Sequence, residues 1–362
     1  MTIEASAVAR VTGIDVVFKD LRGEGVLFLP QRIAVVGQGN SAAVYSTDKR
    51  QVTSAAEASS LYGSGSPIHQ AVLQLLPPNG DGVGTIPVTI FPLEDDGAGA
   101  AAVGDITPAN AATESASYKV SVNNIDSEEF VVAPADTVAA IVTTMTAAIN
   151  AVVEMPVIAA DNVTDVTITS KWEGVSANDI VVEVVGPSVG VTFGITQPVG
   201  GLVNPDITAA LAQIGDIWET LVLNCLDIAD TDTLDIYSTF GEGRWGELTK
   251  KPLIVFTGNT ATTVAAATVV SDARKTDRTN AQLVAPGSND LPFTVAARQL
   301  ARIAVIANNN PPHDYGSQSA TGLTPGADGD QWDYTEQDLA VKSGSSTTKV
   351  KDGVVDIADV VT

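Results

Sequence analysis

A glycine turn that follows an apolar run is the first feature of the sequence that could do chemistry. Residues 33–42 read IAVVGQGNSA and have the G-x-G-x-x-A spacing of a dinucleotide-binding loop. In such a loop the glycines let backbone amides approach a pyrophosphate at the start of a helix. Here residues 44–53 are polar and β-branched without a helical apolar stripe, and the capping box that predicts a helix starts only at Ser54. We therefore expect a buried strand that ends in a glycine turn, and no cofactor.

Histidine and cysteine are too sparse to predict a catalytic or zinc site. His69 follows Ser66 and Pro67, an N-cap and first-turn pair, so we expect it on the surface of a helix. The second histidine, His313, lies in a loop rich in asparagine and proline. Cys225 ends the apolar run LVLNC, which is typical of a small buried hydrophobic residue. No two of these residues have the spacing of zinc ligands, and we predict no catalytic residue and no enzyme.

Two clusters of carboxylates are the remaining candidates for a metal site. Residues 230–235 read DTDTLD and residues 328–333 read DGDQWD. Neither follows the D-x-D-x-D-G loop of a calcium site, and neither has a glutamate at the twelfth position. We expect the first cluster to cap a helix and the second to form a turn, with no bound metal.

Composition and charge narrow the class of protein. The chain has 362 residues, one cysteine and 44% hydrophobic residues, and its N-terminus lacks the pattern of a secretion signal. Its most apolar stretch, residues 137–160, is interrupted by polar residues, so we expect no insertion into a membrane. A formal net charge of −24 argues against binding to a nucleic-acid backbone. These properties fit a protein of a reducing compartment.

The charge is unevenly distributed along the chain. Residues 51–243 contain 25 acidic and two basic residues, whereas residues 244–302 contain eight basic and four acidic residues. Opposite fields of this kind can steer copies of one molecule toward each other. A solvated acidic surface with no partner is the alternative interpretation.

Alternating strand and helix patterns predict an α/β core that is interrupted by a second unit. Strand-like runs at residues 33–36, 88–91, 218–225 and 253–257 alternate with helical patterns at residues 68–76, 260–275 and 292–308. Two stretches rich in Gly, Ala and Pro, residues 95–104 and 197–205, enclose a segment with period-two strands and a helix that starts at Asp136 or Thr137. We expect a small α+β module joined to the core by flexible connections.

Both ends of the chain predict strands with unpaired edges. Residues 7–28 alternate loosely, and residues 347–362 form an alternating ribbon with a turn at Asp352-Gly353. Unpaired strands of this kind are templates for strand addition between subunits. The candidate residues for such strands are Val11, Ile14, Val16, Phe18, Val350, Val355 and Ile357.

The order of these features resembles that of the contractile tail sheath proteins of Mu-like and related myophages. The similarity extends from the N-terminal arm to Thr362, and it is the order of the segments along the whole chain that makes it specific. The segments that carry it are LPQRIAVVGQG at residues 29–39, VT at 52–53 followed by LYGSGS at 61–66, residues 118–150 from YKV to AIN, WDYTEQDLAVKSGSST at 332–347 and DGVVDI at 352–357.

The resemblance implies an α/β fold made of a discontinuous α/β sheath core with an inserted α+β module and extended N- and C-terminal β arms. The implied units are an N-terminal arm at residues 1–29, a core at 30–95 and 201–310, an insert at 96–200 and a C-terminal loop and ribbon at 311–362. Family members continue beyond the equivalent of Val361-Thr362 and often have an arginine where this chain has Asp359. We therefore expect this chain to lack the final C-terminal domain of the family.

The same resemblance implies a structural protein of the virion tail that assembles in the host cytoplasm. Its partners would be further copies in hexameric rings, the tail tube protein, the baseplate and the tail terminator. Contraction of the helical sleeve would drive the tube through the host envelope for genome ejection. Another acidic, self-assembling surface or fibre protein is the alternative.

Overall fold

The structure, a computed structural model, describes residues 31–228, 231–274, 278–310 and 313–361. It is a mixed α/β fold, as predicted, although the expected arm over residues 7–28 lies outside the described residues. The strands are β1 (Ile33–Gln38), β2 (Arg50–Val52), β3 (Val88–Leu93), β4 (Ala101–Pro108), β5 (Ala116–Val122), β6 (Ile125–Asp126), β7 (Phe130–Val132), β8 (Val157–Asp161), β9 (Val166–Glu173), β10 (Val182–Val185), β11 (Phe193–Val199), β12 (Leu221–Asn224), β13 (Ile254–Asn259), β14 (Asn280–Val284), β15 (Gln318–Ser319), β16 (Ser345–Lys351) and β17 (Val354–Asp359). The helices are α1 (Ala55–Tyr62), α2 (Pro67–Leu75), α3 (Val138–Ala151), α4 (Thr208–Ala212), α5 (Thr231–Trp245), α6 (Val264–Asp272), α7 (Pro292–Asn309) and α8 (Tyr334–Lys342), with a 3₁₀ helix at Val175–Asp179.

A nine-stranded sheet forms the centre of the core. Its strand order is β15-β17-β16-β14-β13-β12-β1-β3-β2, and the six strands from β16 to β3 run parallel. All six residues of β1 are buried, because helices cover both faces of the sheet. Ile33 and Val35 face a cluster with α2 and α7, whereas Ala34 and Val36 face a cluster with α4 and α5. The predicted strand and helix alternation of the core is therefore confirmed.

The helices of the core begin where their capping residues predict. The Ser54 side chain accepts a hydrogen bond from the Glu57 backbone N–H, and Ser66 accepts one from the His69 N–H, with Pro67 in the first turn of α2. Each side chain satisfies one of the N–H groups that have no partner within the helix. These caps set the residues at which α1 and α2 begin.

Residues 101–199 form two four-stranded antiparallel sheets and helix α3, which we call the two-sheet unit. One sheet has the order β11-β4-β9-β8, and the other has the order β10-β5-β6, with β7 also paired to β5. Helix α3 begins at the predicted cap, where the Thr137 hydroxyl accepts a hydrogen bond from the Ala140 N–H. Its buried face is formed by Ile141, Val142, Met145, Ala148 and Ile149.

The connections between the two-sheet unit and the core differ from the flexible joints that the sequence predicts. Ala100 and Leu202, one from each glycine-rich stretch, exchange two backbone hydrogen bonds of 3.1 and 3.2 Å. The Asn178 side chain binds the backbone of Gly201 through both its amide oxygen and its amide nitrogen. The two stretches therefore form a paired, hydrogen-bonded neck. The sequence pattern of small residues gave no sign of this pairing, because it joins segments about a hundred residues apart.

Candidate functional site

The glycines of the GQGNSA turn are explained by packing. A Cβ atom on Gly39 would lie 2.3 Å from the ring of Tyr45, and one on Gly37 would lie 2.8 Å from the Cβ of Cys225. The Tyr45 hydroxyl accepts a hydrogen bond from the Gly39 N–H (3.1 Å) and donates one to the Leu93 carbonyl (2.8 Å), and burial raises its pKa to about 12. The space beside Gly39 is therefore filled by the protein's own tyrosine. As predicted, no helix follows the turn; the next helix is α1.

A buried polar contact at the end of β1 joins the core to the two-sheet unit. The Gln38 amide Nε2 donates to the Asp95 carboxylate and to the Glu173 carbonyl, both at 2.5 Å. The Ser41 hydroxyl binds the second oxygen of the Asp95 carboxylate. This contact could not be predicted from the sequence, because Gln38 is an ordinary residue of the turn and Glu173 lies 135 positions away.

His69 is buried, so its predicted position on the helix surface is wrong. Only 3% of the residue is exposed, and its Nδ1 accepts a hydrogen bond from the Gly65 N–H (3.1 Å). Burial and the neighbouring Lys171 ammonium lower its pKa to about 4. The adjacent Ser66 hydroxyl donates to the Gly63 carbonyl, so no serine–histidine relay is present here. The His69 ring thus holds the loop before α2 through the Gly65 N–H.

The loop before α2 approaches the two-sheet unit closely at Gly65. Gly65 has a φ of +78°, and a Cβ atom there would lie 2.1 Å from the Met155 carbonyl oxygen of the two-sheet unit. In α2, the Gln70 side-chain amide, one residue after His69, donates a hydrogen bond to the Glu154 carbonyl at 2.5 Å. The loop and α2 therefore form a second contact between the core and the two-sheet unit.

Buried carboxyl groups also lie at this boundary. Burial and, to a smaller extent, the nearby Asp227 carboxylate together raise the pKa of Asp179 to about 8. Burial also raises the pKa of Asp290, whose carboxylate accepts hydrogen bonds from the Asn124 amide (2.9 Å) and the Thr324 N–H (2.7 Å). The contact with Asn124 joins a loop of the core to the two-sheet unit.

Within the described ranges, no three His, Cys, Asp or Glu side chains are grouped so that they could hold a metal ion.

The other candidate residues have structural surroundings. Cys225 is fully buried, as predicted, and its burial raises the pKa of the thiol. The second carboxylate cluster does form a turn, but its last member, Asp333, is the N-cap of α8 and forms a reciprocal capping box with Glu336. The D-x-x-E spacing at residues 333–336 could have predicted this cap. The sequence predicts that the first cluster caps a helix; α5 does begin within it, at Thr231, but residue 230 lies outside the described residues.

The C-terminal ribbon forms the hairpin that the sequence predicts. Strands β16 and β17 pair antiparallel with Val350 opposite Val355, and Asp352-Gly353 forms the turn with positive φ at both residues. Within the chain, β16 also pairs with β14, so the ribbon extends the core sheet. Val355 and Ile357 are buried and Val350 is half-buried, whereas Val11, Ile14, Val16 and Phe18 lie outside the described residues. The assigned contacts of these seven residues with other subunits remain a prediction.

Among the described residues, none of the helices has the length and apolar character needed to cross a membrane. No protein-family model matches the chain. The tail sheath protein of the Mu-like prophage FluMu of Haemophilus influenzae is 24% identical over 308 residues, which cover 84% of this chain and 61% of that protein. This match confirms the resemblance to a Mu-like tail sheath protein. The chain thus spans about three fifths of the length of the curated relative.

Two solved structures are also similar to this chain. The sheath tail protein of Listeria innocua has 13% sequence identity and a TM-score of 0.41, with 91% of this chain and 68% of that chain covered. The sheath tail protein of Desulfitobacterium hafniense has 12% identity and a TM-score of 0.40, with 95% and 74% covered. Scores this low do not establish a shared fold, so the functional argument depends on the sequence match.

Proposed function

We propose that the protein is a structural subunit of a phage contractile tail sheath and has no enzymatic activity. Copies assemble as stacked hexameric rings that form a helical sleeve around the tail tube. Contraction of the sleeve drives the tube through the host envelope and permits genome ejection. The observation that carries this proposal is the match to a Mu-like tail sheath protein over 84% of the chain.

The geometry of the main sheet supports self-assembly. At one end of the sheet, β15 pairs with β17 through only two residues, Gln318 and Ser319, although β17 has six. At the other end, β2 has only three residues. A strand from a neighbouring subunit can add to such an edge through main-chain hydrogen bonds without a specific side-chain chemistry. In this proposal the arm over residues 7–28 provides the added strand, and the ribbon over residues 347–362 takes part in the contact between subunits through the edge of β17 that β15 leaves uncovered.

Contraction in this proposal is a change between two packings of the same folded subunit. The extended sleeve is the less stable packing, and a trigger at one end shifts all subunits to the other packing. Strands shared between subunits hold the copies together during the movement. The subunit needs no nucleotide for this step, in agreement with the packing role of Gly37 and Gly39.

The proposed partners follow from the place of a sheath in a phage tail. The inner surface of the sleeve binds the tail tube protein, and its two ends meet the baseplate and the tail terminator. The subunits assemble in the host cytoplasm and end in the virion tail. Neither nucleic acid nor a membrane is a partner, and the net charge of −24 agrees with the exclusion of nucleic acid.

Negative-stain electron microscopy of the purified protein, with and without residues 1–25, tests the proposal. We expect the full chain to form tubes or rings of constant width, and the shortened chain to remain folded by circular dichroism but to form none. Featureless monomers of the full chain at high concentration, with or without purified tail tubes, would contradict a sheath. Sheets or fibres without a central channel would favour another self-assembling surface or fibre protein. Tubes from the shortened chain would remove the role of the arm alone.

A further inference from the structure

Two exposed tryptophans form a preorganised patch at one edge of the main sheet. Trp218 and Trp245 are 43% and 41% exposed, and their indole N–H groups donate to neighbouring carbonyls, those of Pro252 (2.7 Å) and Leu253 (3.4 Å). Leu248, three residues after Trp245, is fully exposed. The hydrogen bonds fix the indole rings while leaving part of each ring in contact with water. Aromatic side chains that are held in place before binding are typical anchors of protein interfaces.

Cationic side chains lie in the same loops as these rings, and one of them contacts the Trp245 ring. The Arg278 guanidinium lies 5.8 Å from the centre of the Trp245 ring, and Lys250 is exposed nearby in sequence. A third cation, Lys251, lies 3.5 Å from the carboxylate of Asp216. Among the described residues of these loops that are exposed or half-exposed at this edge, the cations Lys250, Lys251 and Arg278 face two carboxylates, Asp216 and Glu247. We call Trp218, Trp245, Leu248, Lys250 and Arg278 the tryptophan patch.

The tryptophan patch and the two-sheet unit lie at opposite edges of the core. Residues 218, 245–250 and 278 immediately precede the parallel strands β12, β13 and β14, so they lie at the edge where those strands begin. The two-sheet unit contacts the edge where parallel strands end, through Gln38 at the end of β1 and through Asn289, which follows β14 and accepts a hydrogen bond from Asn123. The two ends of the molecule along the strand direction therefore differ: the tryptophan patch lies at one end and the two-sheet unit at the other.

An apolar row crosses the β11-β4-β9-β8 sheet of the two-sheet unit. Val199 lies opposite Val103, Val103 opposite Thr169, and Thr169 opposite Ile158. Val199, Val103 and Ile158 are 62%, 43% and 55% exposed. We call these four residues the β-branched row. It lies in a unit with twelve acidic and two basic residues between positions 101 and 199.

We propose that copies of this chain associate head to tail, with the tryptophan patch of one copy docked on the β-branched row of the next. Both surfaces are apolar, and their surroundings carry opposite charge, which steers the encounter and disfavours pairing of like surfaces. In a pair joined through two different surfaces, one copy still has a free tryptophan patch and the other still has a free β-branched row. Further copies can therefore bind at both ends of the pair. The inference rests on the proposed sheath function and names the surfaces through which subunits meet.

Cysteine cross-linking between two variants tests this contact. Leu248→Cys and Val199→Cys are mixed under assembly conditions and treated with a short bismaleimide. The natural Cys225 is fully buried and does not react. We expect a cross-linked dimer at least tenfold more abundant in the mixture than with either variant alone. The matched control is a mixture of Val44→Cys with Val199→Cys, because Val44 is also fully exposed but follows β1 at the opposite edge of the sheet.

Microscopy of the same samples separates the two proposals. Ordered tubes with no more cross-linking than the control would overturn the head-to-tail contact and leave the sheath function intact. Cross-linked dimers without tubes would support the contact and contradict the sheath. If neither tubes nor cross-linked dimers formed, both proposals would be overturned.

A second measurement is the protein concentration needed for assembly. Leu248→Asp should raise this concentration at least tenfold, and Val44→Asp should change it less than twofold.

Discussion

At the scale of single residues, His69 makes the stability of the fold dependent on pH. The buried imidazole accepts the Gly65 N–H through Nδ1, so protonation of Nδ1 breaks that hydrogen bond and places a cation beside Lys171. The pKa of His69 is about 4 in the folded protein, below the ordinary value of 6.5. The unfolded chain therefore binds a proton first as the pH falls. We expect the contribution of His69 to the free energy of unfolding to fall by about 3 kcal/mol as the pH drops from about 6.5 to about 4.

Urea unfolding at several pH values measures this effect. His69→Gln removes the titrating group, so its free energy of unfolding should be lower than that of the wild type near pH 7 and should fall less between about pH 6.5 and 4. His313→Gln is the matched control, because His313 is exposed, and it should retain the pH dependence of the wild type. If His69→Gln and the wild type lost stability in parallel, the acid sensitivity would come from other groups.

At the scale of secondary-structure elements, the capping box of α8 stabilises a helix that packs beside β16 and α6. The Asp333 carboxylate accepts from the N–H groups of Thr335 and Glu336 at 2.8 Å, and Glu336 accepts from the Asp333 N–H at 2.9 Å. We expect Asp333→Ala to lower the free energy of unfolding by about 1 kcal/mol. Chemical denaturation measures the loss.

Asp338→Ala is the control for the capping prediction, because it removes a carboxylate from the same helix without touching the cap. Asp338 forms an exposed ion pair with Lys342, one turn further along. Such pairs contribute roughly 0.3–0.5 kcal/mol. Equal losses for the two variants would mean that the general charge of α8, and not its cap, determines its stability.

Local signals explain which elements could be predicted from the sequence. The apolar run of β1, the Ser66-Pro67 start of α2 and the Asp352-Gly353 turn each depend on neighbouring residues, and the structure has each element where the pattern places it. The buried position of His69 and the partners of Gln38 could not be predicted, because both depend on segments brought together only by the complete fold. The tryptophan patch was missed for the same reason, since parallel strands align three loops that are distant in sequence.

At the scale of the whole molecule, the core and the two-sheet unit share one interior. A single cluster of buried hydrophobic residues extends from Ile33 in β1 to Trp172 in β9 and Phe293 in α7. Trp172 is fully buried, its indole N–H donates to the Ser176 hydroxyl (3.0 Å), and its ring packs edge-on against Phe293 with the ring centres 6.3 Å apart. We therefore expect the two-sheet unit and the core to behave as one cooperative body.

This shared interior predicts that the described parts of the chain unfold together. Trp172→Ala removes a large side chain from the boundary and should cost about 3–5 kcal/mol. In a urea titration, far-ultraviolet circular dichroism and tryptophan fluorescence should give coincident midpoints for the wild type, and Trp172→Ala should lower both midpoints together. Trp218→Ala is the matched control, since Trp218 is 43% exposed and its loss should have a much smaller effect. Two separate transitions in the wild type would show that the two-sheet unit folds independently, and that the shared interior does not couple its stability to that of the core.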